Sequence, residues 1–213
     1  MADQIYLSCI DRGILLKDTY GRPPKIFPAC KELELPFSNI ASVSHNFAYV
    51  GTAFLVKPKL VLTAGHVFTQ QNYQSESEFS MSFKGGEVLT DVLKIHFHPK
   101  LDLALGVLSN DVGMSSFCFD SPLAGQKIIV VGFPSLGFGI QQYYGNGVVK
   151  RIDGDVIVHD ASTRDGHSGS PIMLLDKANT VIGVHSKALN GENENAGLAY
   201  KDEIVNWISS HNS

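Results

Sequence analysis

The chain has 213 residues, of which 44% are hydrophobic and 18% charged, so it is long enough for one or two domains with a hydrophobic core. The formal net charge of −4 excludes the strongly basic surface that binds nucleic acid through its phosphates. No run of about 18 apolar residues is present, so no membrane-spanning helix is expected. The three cysteines form no C-x-x-C pair, which argues against a disulfide framework and against a metal site. With no secretory signal at the start, they favour a cytoplasmic location.

Short β-branched segments separated by turn signals dominate the chain. Residues 1–35, with the proline-rich stretch GRPPKIFPAC, are interpreted as a surface arm with a single strand. The segments that follow, on either side of a break near residues 109–122, predict strands at Tyr49–Val56, Leu60–Thr63, Glu78–Phe83, Val88–His96, Leu103–Leu108, Lys127–Val131, Gln141–Val149, Val156–His159, Pro171–Leu175, Thr180–His185 and Gly197–Tyr200. Strands at this spacing predict β-barrels or a β-sandwich.

The end of the chain has a helical period instead. From Lys201 onward, the spacing places Ile204, Val205, Trp207 and Ile208 on one face, and two acidic residues fall in the first turn. This pattern predicts a short amphipathic helix that closes the fold.

Three separate fragments supply the residue types for nucleophilic catalysis. They are His66 in TAGH at the end of an apolar strand, Asp102 in LDLAL before another, and Ser168 in DGHSGSP. A serine nucleophile needs a base to take its proton, and the base needs an acid that fixes its tautomer and stabilises the imidazolium. Asp91 is a rival for the acid, but it does not precede an apolar strand. The chain order of histidine, aspartate and serine is neither the subtilisin nor the α/β-hydrolase order.

These motifs, in this order and in a β-rich chain of this length, resemble those of the trypsin/chymotrypsin-fold serine peptidases. The resemblance implies an all-β fold of two six-stranded antiparallel β-barrels with a short C-terminal helix. It divides the chain into an N-terminal arm (1–35), an N-terminal barrel (36–115) and a C-terminal barrel with the helix (116–213). It also implies catalysis by His66, Asp102 and Ser168 without a cofactor, and an oxyanion hole made by the backbone N–H groups of Gly166 and Ser168.

The resemblance is to glutamyl endopeptidases in particular, and it rests on two pocket residues. Thr163 precedes Ser168 by five residues and His185 lies on a later strand, where these peptidases carry a threonine or serine and a histidine. A hydroxyl and an imidazole N–H can both donate to a Glu or Gln side chain, and a charged imidazole would prefer Glu. Ser162, at the place of the trypsin pocket acid, disfavours cleavage after Lys or Arg.

The same resemblance assigns substrate contacts to the residues after His185. Ser186 matches the serine that hydrogen-bonds the catalytic aspartate, and residues 186–188 would pair with an extended substrate as an added strand. Lys187 and Ala188 depart from the usual tryptophan and glycine. Lys187 would attract acidic peptides, and Ala188 would narrow the access to the pocket.

His167 stands where most trypsin relatives have the aspartate that pairs with a newly freed N-terminal amine. A histidine is a poor partner for that amine, so this activation step is expected to be absent. Asp11-Arg12 and Asp18-Thr19 resemble the start of mature glutamyl endopeptidases, with the equivalent N-terminus near Ile5. Any control of activity would then involve the arm, a regulatory protein partner or the loops around Lys187.

The function predicted from the sequence is therefore a serine endopeptidase acting on protein or peptide substrates, with cleavage after Glu. Two alternatives remain open: the same fold with Gln or small-residue specificity, and a catalytically silent protease-fold binding module.

Overall fold

The computed structural model of the protein describes residues 30–135, 140–177, 179–189 and 194–211, together with two short strands in the N-terminal arm. Where the chain is described, no helix is long and apolar enough to cross a membrane. The helices and strands in chain order are β1 (Ile14–Leu16), β2 (Lys25–Phe27), β3 (Ile40–His45), β4 (Ala48–Lys57), β5 (Leu60–Ala64), α1 (His66–Thr69), β6 (Phe79–Phe83), β7 (Val88–Phe97), β8 (Leu103–Leu108), β9 (Cys118–Phe119), β10 (Lys127–Gly132), β11 (Tyr143–Asp153), β12 (Val156–His159), β13 (Pro171–Leu174), β14 (Thr180–Ala188), β15 (Asn195–Ala199) and α2 (Asp202–Ser210).

The strands form two barrels that follow each other along the chain. The first barrel is closed in the order β3-β4-β5-β8-β7-β6. The second runs β13-β10-β11-β12-β15-β14 and closes through the pairing of β13 with β14, while the two-residue strand β9 adds to β14 in parallel. This confirms the prediction of two six-stranded antiparallel barrels with a C-terminal helix.

Three strands were absent from the sequence prediction: β3, the two-residue strand β9 and the second strand of the arm. β3 has the sequence IASVSH, in which two serines weaken the apolar alternation, although Ser42 is buried. The arm contains two paired strands, β1 and β2, rather than one. The expected N-terminus near Ile5 lies outside the described residues.

Buried and exposed residues alternate along the strands, and the buried ones form the cores of the barrels. In β6, for example, Phe79, Met81 and Phe83 are buried and the two serines between them are partly exposed. One apolar cluster fills each barrel. A third cluster joins the barrels, because it combines Phe54 and Leu62 of the first with Val131 and Val184 of the second. The cleft beside this shared cluster holds the residues singled out in the sequence.

The terminal helix α2 belongs to the second barrel in sequence but packs against the first. Ile204 and Ile208 are buried, whereas Val205 is 38% exposed, so Val205 does not share their buried face as predicted. The ring of Trp207 contacts that of His98. Lys57 Nζ on β4 donates to the carbonyl of Ile208 at 3.1 Å.

Candidate active site

His66 and Asp102 are brought together at one end of the first barrel. His66 is the first residue of α1, directly after β5, and Asp102 precedes β8. Asp102 Oδ2 lies 2.7 Å from His66 Nδ1, and Asp102 Oδ1 accepts the backbone N–H of His66 at 2.8 Å. Gly65 permits this approach, because a Cβ there would lie 3.1 Å from Asp102 Oδ1. The carboxylate therefore fixes both the position and the tautomer of the imidazole.

The loop that carries Asp102 is held by a histidine. His98 Nδ1 accepts the backbone N–H groups of Lys100 and Leu101 at 3.3 and 3.1 Å. Burial, the largest influence, lowers the pKa of His98, which favours the neutral ring that can accept these bonds.

The rival acid, Asp91, lies in β7, paired with Ser80 of β6.

Asp102 carries further hydrogen bonds that keep it ionised. Burial acts to raise its pKa, but the hydrogen bonds and charge of His66 and the hydroxyl of Ser186 outweigh burial, and the pKa is lowered. Ser186 Oγ donates to Asp102 Oδ2 at 3.0 Å. Ser186 lies at a bulge in the pairing of β14 with β15, and a bulge turns the side chain of the extra residue out of register.

Ser168 lies in the loop between β12 and β13, which is fastened on two sides. Thr52 of β4 donates its N–H to the Ser168 carbonyl at 2.9 Å, and Gly169 donates to the His185 carbonyl of β14 at 2.8 Å. Gly169 has a φ of +84°, and a Cβ there would meet Thr63 Oγ1 at 2.1 Å. Only glycine fits this position.

The hydroxyl of Ser168 donates to the backbone carbonyl of Ser186 at 3.2 Å. His66 and Ser168 line the same cavity, of about 210 Å³. A rotation about the Cα–Cβ bond of Ser168 is therefore the movement that would redirect the hydroxyl towards the imidazole.

The backbone before Ser168 leaves two N–H groups available. Gly166 has a φ of +96°, and the carbonyl of Asp165 accepts the N–H of Ser135 at 2.8 Å. Among the described residues, neither Gly166 nor Ser168 donates its backbone N–H to a protein acceptor. Two unused donors beside a serine hydroxyl are what the stabilisation of an oxyanion requires.

The cavity beside Ser168 contains both predicted pocket residues. Thr163 and His185 are 3% exposed and line it together with the chain from Ser186 to Ala188. Burial, more than the neighbouring histidines, lowers the pKa of His185 well below its usual value. The lowered pKa favours the neutral imidazole at neutral pH, in which one ring nitrogen donates and the other accepts.

A second buried histidine lies behind the first. His185 Nδ1 is 3.3 Å from His159 Nε2, which leaves Nε2 as the His185 nitrogen that can serve the pocket. Donation by His159 to Nδ1 goes with the His185 tautomer that carries its proton on Nε2, and donation by His185 to His159 goes with the other tautomer. His159 was not singled out in the sequence, because no spacing motif links it to His185 on a different strand.

The hydroxyl of Thr163 already has an acceptor. Thr163 Oγ1 donates to Asn195 Oδ1 at 3.0 Å, and Asn195 Nδ2 donates to the carbonyl of Ala161 at 2.6 Å. The segment with Thr163 crosses β11 closely, since a Cβ at Gly147 would lie 2.2 Å from Ala161 N. Thr163 would therefore have to turn its hydrogen away from Asn195 to donate to a substrate.

Charged groups at the mouth of the cavity are mostly basic. Of the described residues, Arg164 and Lys187 line it, together with the carboxylate of Asp165. Beyond Val184, the only described strand paired with β14 is β15, so the other edge of residues 186–188 faces the cleft. Arg164 was missed from sequence, because it lies just before the DGHSGSP motif, in a segment that has no periodic signal.

A second cavity, of about 410 Å³, lies on the other side of His66. It is lined by Asp102, by apolar residues that include Val156 and Leu198, and by Lys187. Where side chains are described, no group of three or more His, Cys, Asp or Glu residues is arranged to hold a metal ion.

Residues 51–184, more than half of the chain, match the trypsin-like peptidase domain family. The chain is a member of this family. The peptidase shares its fold with a Glu endopeptidase solved in complex with MPD, at 18% identity and a TM-score of 0.73, over 94% of this chain and 96% of that one.

Two further solved structures are similar to the peptidase. Human heparin binding protein matches with 17% identity and a TM-score of 0.68, over 87% of this chain and 95% of that one. Rv3671c from M. tuberculosis, in an inactive form, matches with 18% identity and a TM-score of 0.63, over 81% and 86%. At these identities the likeness shows the shared fold alone.

Proposed function

We propose that the peptidase is a serine endopeptidase that cleaves polypeptides after glutamate. The observation that carries the proposal is a single cavity that joins the carboxylate-held imidazole of His66, the hydroxyl of Ser168 and the buried donor His185. Ser168 acts as the nucleophile, His66 as the base and Asp102 as the orienting anion.

The reaction follows from these positions. His66 Nε2 takes the proton of Ser168 Oγ as this oxygen attacks the peptide carbonyl, and the N–H groups of Gly166 and Ser168 stabilise the oxyanion that forms. The His66 imidazolium, stabilised by Asp102, then protonates the departing amine. Water repeats the sequence on the acyl-enzyme and releases the new carboxyl end, while residues 186–188 pair with the substrate backbone.

Glutamate fits the cavity for three reasons. His185 can present Nε2–H to its interior when His159 donates to Nδ1, and the lining residues Arg164 and Lys187 supply positive charge. A volume of about 210 Å³ suits a medium-sized side chain. Ser162 offers no negative charge to a Lys or Arg side chain.

The neutral state of His185 also favours a second specificity, for glutamine, because a neutral N–H can donate to an amide oxygen as well as to a carboxylate. A bound carboxylate would raise the pKa of His185, and a bound amide would not. The ratio of kcat/KM for Glu over that for Gln is therefore expected to rise as the pH falls from about 8 to about 5.

The test is cleavage-site profiling on a peptide library with mass-spectrometric detection. We expect enrichment of Glu before the cleaved bond, and roughly a 10⁴–10⁶-fold loss of kcat in Ser168→Ala. Enrichment of Gln alone would replace the specificity, and enrichment of Lys or Arg would contradict the pocket argument. A wild-type protein that cleaves nothing and does not react with a fluorophosphonate at Ser168 would be the silent binding module.

The pocket residues have their own test in matched substrates. His185→Ala is expected to lower kcat/KM for the Glu peptide more than for an otherwise identical Ala peptide, because only the Glu side chain uses the buried donor. His96→Ala, on the outside of β7, is the control. An equal loss on both peptides would remove His185 from the recognition of glutamate.

A further inference from the structure

Two hydroxyl groups of β4 reach the oxyanion segment, which consists of residues 165–168, from the side of the first barrel. Thr52 Oγ1 donates to the carbonyl of Gly166 at 2.8 Å, and the hydroxyl of Tyr49 is 2.6 Å from the same oxygen. Tyr49 also contacts the carbonyl of Phe133. Neither residue was singled out in the sequence, because nothing in a strand pattern shows which outward side chain meets a loop of another barrel.

The hydrogen bonds of this group can be assigned consistently. The N–H of Phe133 donates to Thr52 Oγ1 at 3.2 Å, so the Thr52 hydroxyl accepts from Phe133 and passes its own hydrogen to Gly166. The single hydrogen of Tyr49 then lies between the carbonyls of Gly166 and Phe133. Burial raises the pKa of Tyr49, which keeps the phenol protonated and able to donate.

Thr52 holds the segment at a second point. Its backbone N–H donates to the carbonyl of Ser168 at 2.9 Å. Thr52 therefore binds the carbonyls of both Gly166 and Ser168, the two residues whose N–H groups would form the oxyanion hole. Ser135 holds the preceding carbonyl, that of Asp165.

The space around the segment is shaped for these contacts. A Cβ at Gly166 would lie 2.3 Å from the Phe133 carbonyl and 2.7 Å from the ring of Tyr49. A Cβ at Gly132 would lie 2.9 Å from Thr52 Oγ1. Both glycines therefore allow hydroxyl and carbonyl to meet, in addition to the left-handed φ that Gly166 requires.

From this geometry we infer that Tyr49 and Thr52 are positioning residues that hold the oxyanion hole in its assembled form before substrate binds. The atoms of a peptide plane rotate together. Fixing the carbonyl of Gly166 from inside the molecule therefore also limits rotation of the two neighbouring peptide planes, which carry the N–H groups of Gly166 and Ser168. The two N–H groups then stay directed at the cleft. This inference rests on the proposed function and deepens it by naming what keeps the hole assembled.

The test uses two variants. Tyr49→Phe removes only the hydroxyl group, and Thr52→Val replaces the hydroxyl with a methyl group. We expect kcat to fall about 10–100-fold in each, because a misplaced donor loses its effect on the transition state. KM should change by less than about threefold, because the side-chain pocket is untouched. Thr52→Ser, which keeps the hydroxyl, should restore most of the activity.

Two variants remove hydroxyl groups that the site does not use. Tyr143→Phe removes the hydroxyl that donates to Gln141, and Thr90→Val removes one that pairs with Ser109. Both are expected to leave kcat and KM unchanged. Thermal unfolding of all variants, measured in the Ser168→Ala form, separates a general loss of stability from a loss of positioning.

A second measurement uses a peptide boronic acid with Glu before the boron, which forms a tetrahedral adduct with Ser168. The affinity for this boronic acid should fall in proportion to kcat/KM in Tyr49→Phe and Thr52→Val. The affinity for an uncleaved Glu peptide, measured in the Ser168→Ala form of each variant, should stay constant. Unchanged kcat and boronate affinity, with normal wild-type turnover, overturn this inference alone. A wild-type protein without turnover or fluorophosphonate labelling overturns the proposed function and this inference together.

Discussion

His167, the residue before Ser168, is kept neutral by its surroundings. Its side chain is fully buried, and Nδ1 accepts the backbone N–H of Arg164 at 3.1 Å. Burial lowers the pKa of His167 to about 4; the contact of Nδ1 with the Arg164 carbonyl at 3.2 Å partly opposes this effect, and the charge of Arg164 reinforces it. The ring is therefore a neutral polar group beneath the loop.

The first prediction is a pH dependence of stability that arises from this residue. In the unfolded chain the histidine has a pKa of about 6.5, so as the pH falls the unfolded state binds the proton first. The stabilisation is complete above about pH 6.5 and is lost progressively towards about pH 4, to the extent of ~3 kcal/mol. The lowered pKa of His185 acts in the same direction.

Urea unfolding of the Ser168→Ala form near neutral pH and near pH 4.5 measures this loss. His167→Asn, whose amide oxygen can still accept the N–H of Arg164, is expected to reduce it by at least about 1 kcal/mol. His96→Gln, a change at a partly exposed histidine, should reduce it less. An identical pH dependence in the wild-type form and in His167→Asn would show that His167 titrates normally.

At the scale of secondary structure, the terminal helix shows what an apolar spacing in the sequence can predict and what it cannot. The apolar spacing correctly predicted an amphipathic helix, but it grouped Val205 with Ile204 and Ile208. Adjacent positions on a helix differ by about 100° in direction, so the partner surface decides which of two neighbours is covered. β3 was missed because its two serines interrupt the apolar alternation, although Ser42 is buried and Ser44 is partly buried.

The second prediction separates the two neighbours on this helix. Ile204→Ala is expected to lower the free energy of unfolding by about 2–4 kcal/mol, because it leaves a cavity in the cluster that joins the barrels. Val205→Ala should change it by less than about 0.5 kcal/mol. Urea unfolding measures both, and equal losses would contradict the orientation of the helix.

At the scale of the whole molecule, α2 links the end of the chain to the first barrel. Lys57 Nζ donates to the carbonyls of Ile208 and His211 at 3.1 and 2.8 Å, and the His98 ring contacts Trp207. Since His98 also holds the loop of Asp102, the helix supports the position of Asp102. The shared apolar cluster likewise joins the barrels across the cleft.

The third prediction is that the two barrels unfold together. Trp207, the single tryptophan, reports on the docked helix by fluorescence, and circular dichroism reports on the strands. Lys57→Met should lower both midpoints equally, corresponding to about 1–3 kcal/mol, because two carbonyls lose a charged donor.

Lys59→Met, a nearby change at a lysine without such contacts, is the control for the third prediction. Two separate transitions in the wild-type form, or a shift in the fluorescence midpoint alone, would show that the helix is not part of one cooperative unit.

The sequence by itself determined an all-β class and the candidates His66, Asp102 and Ser168, because strand alternation, turn residues and motif glycines are local properties of the chain. The choice of two barrels over a sandwich came from the resemblance to a known family. Thr163 and His185 came from the resemblance and not from a pattern. Only the tertiary structure decided that His159 lies behind His185, that Asn195 takes the hydrogen of Thr163, and that Tyr49 and Thr52 meet Gly166. These contacts join segments far apart in the chain, and their existence depends on how two closed barrels pack, which no local period encodes.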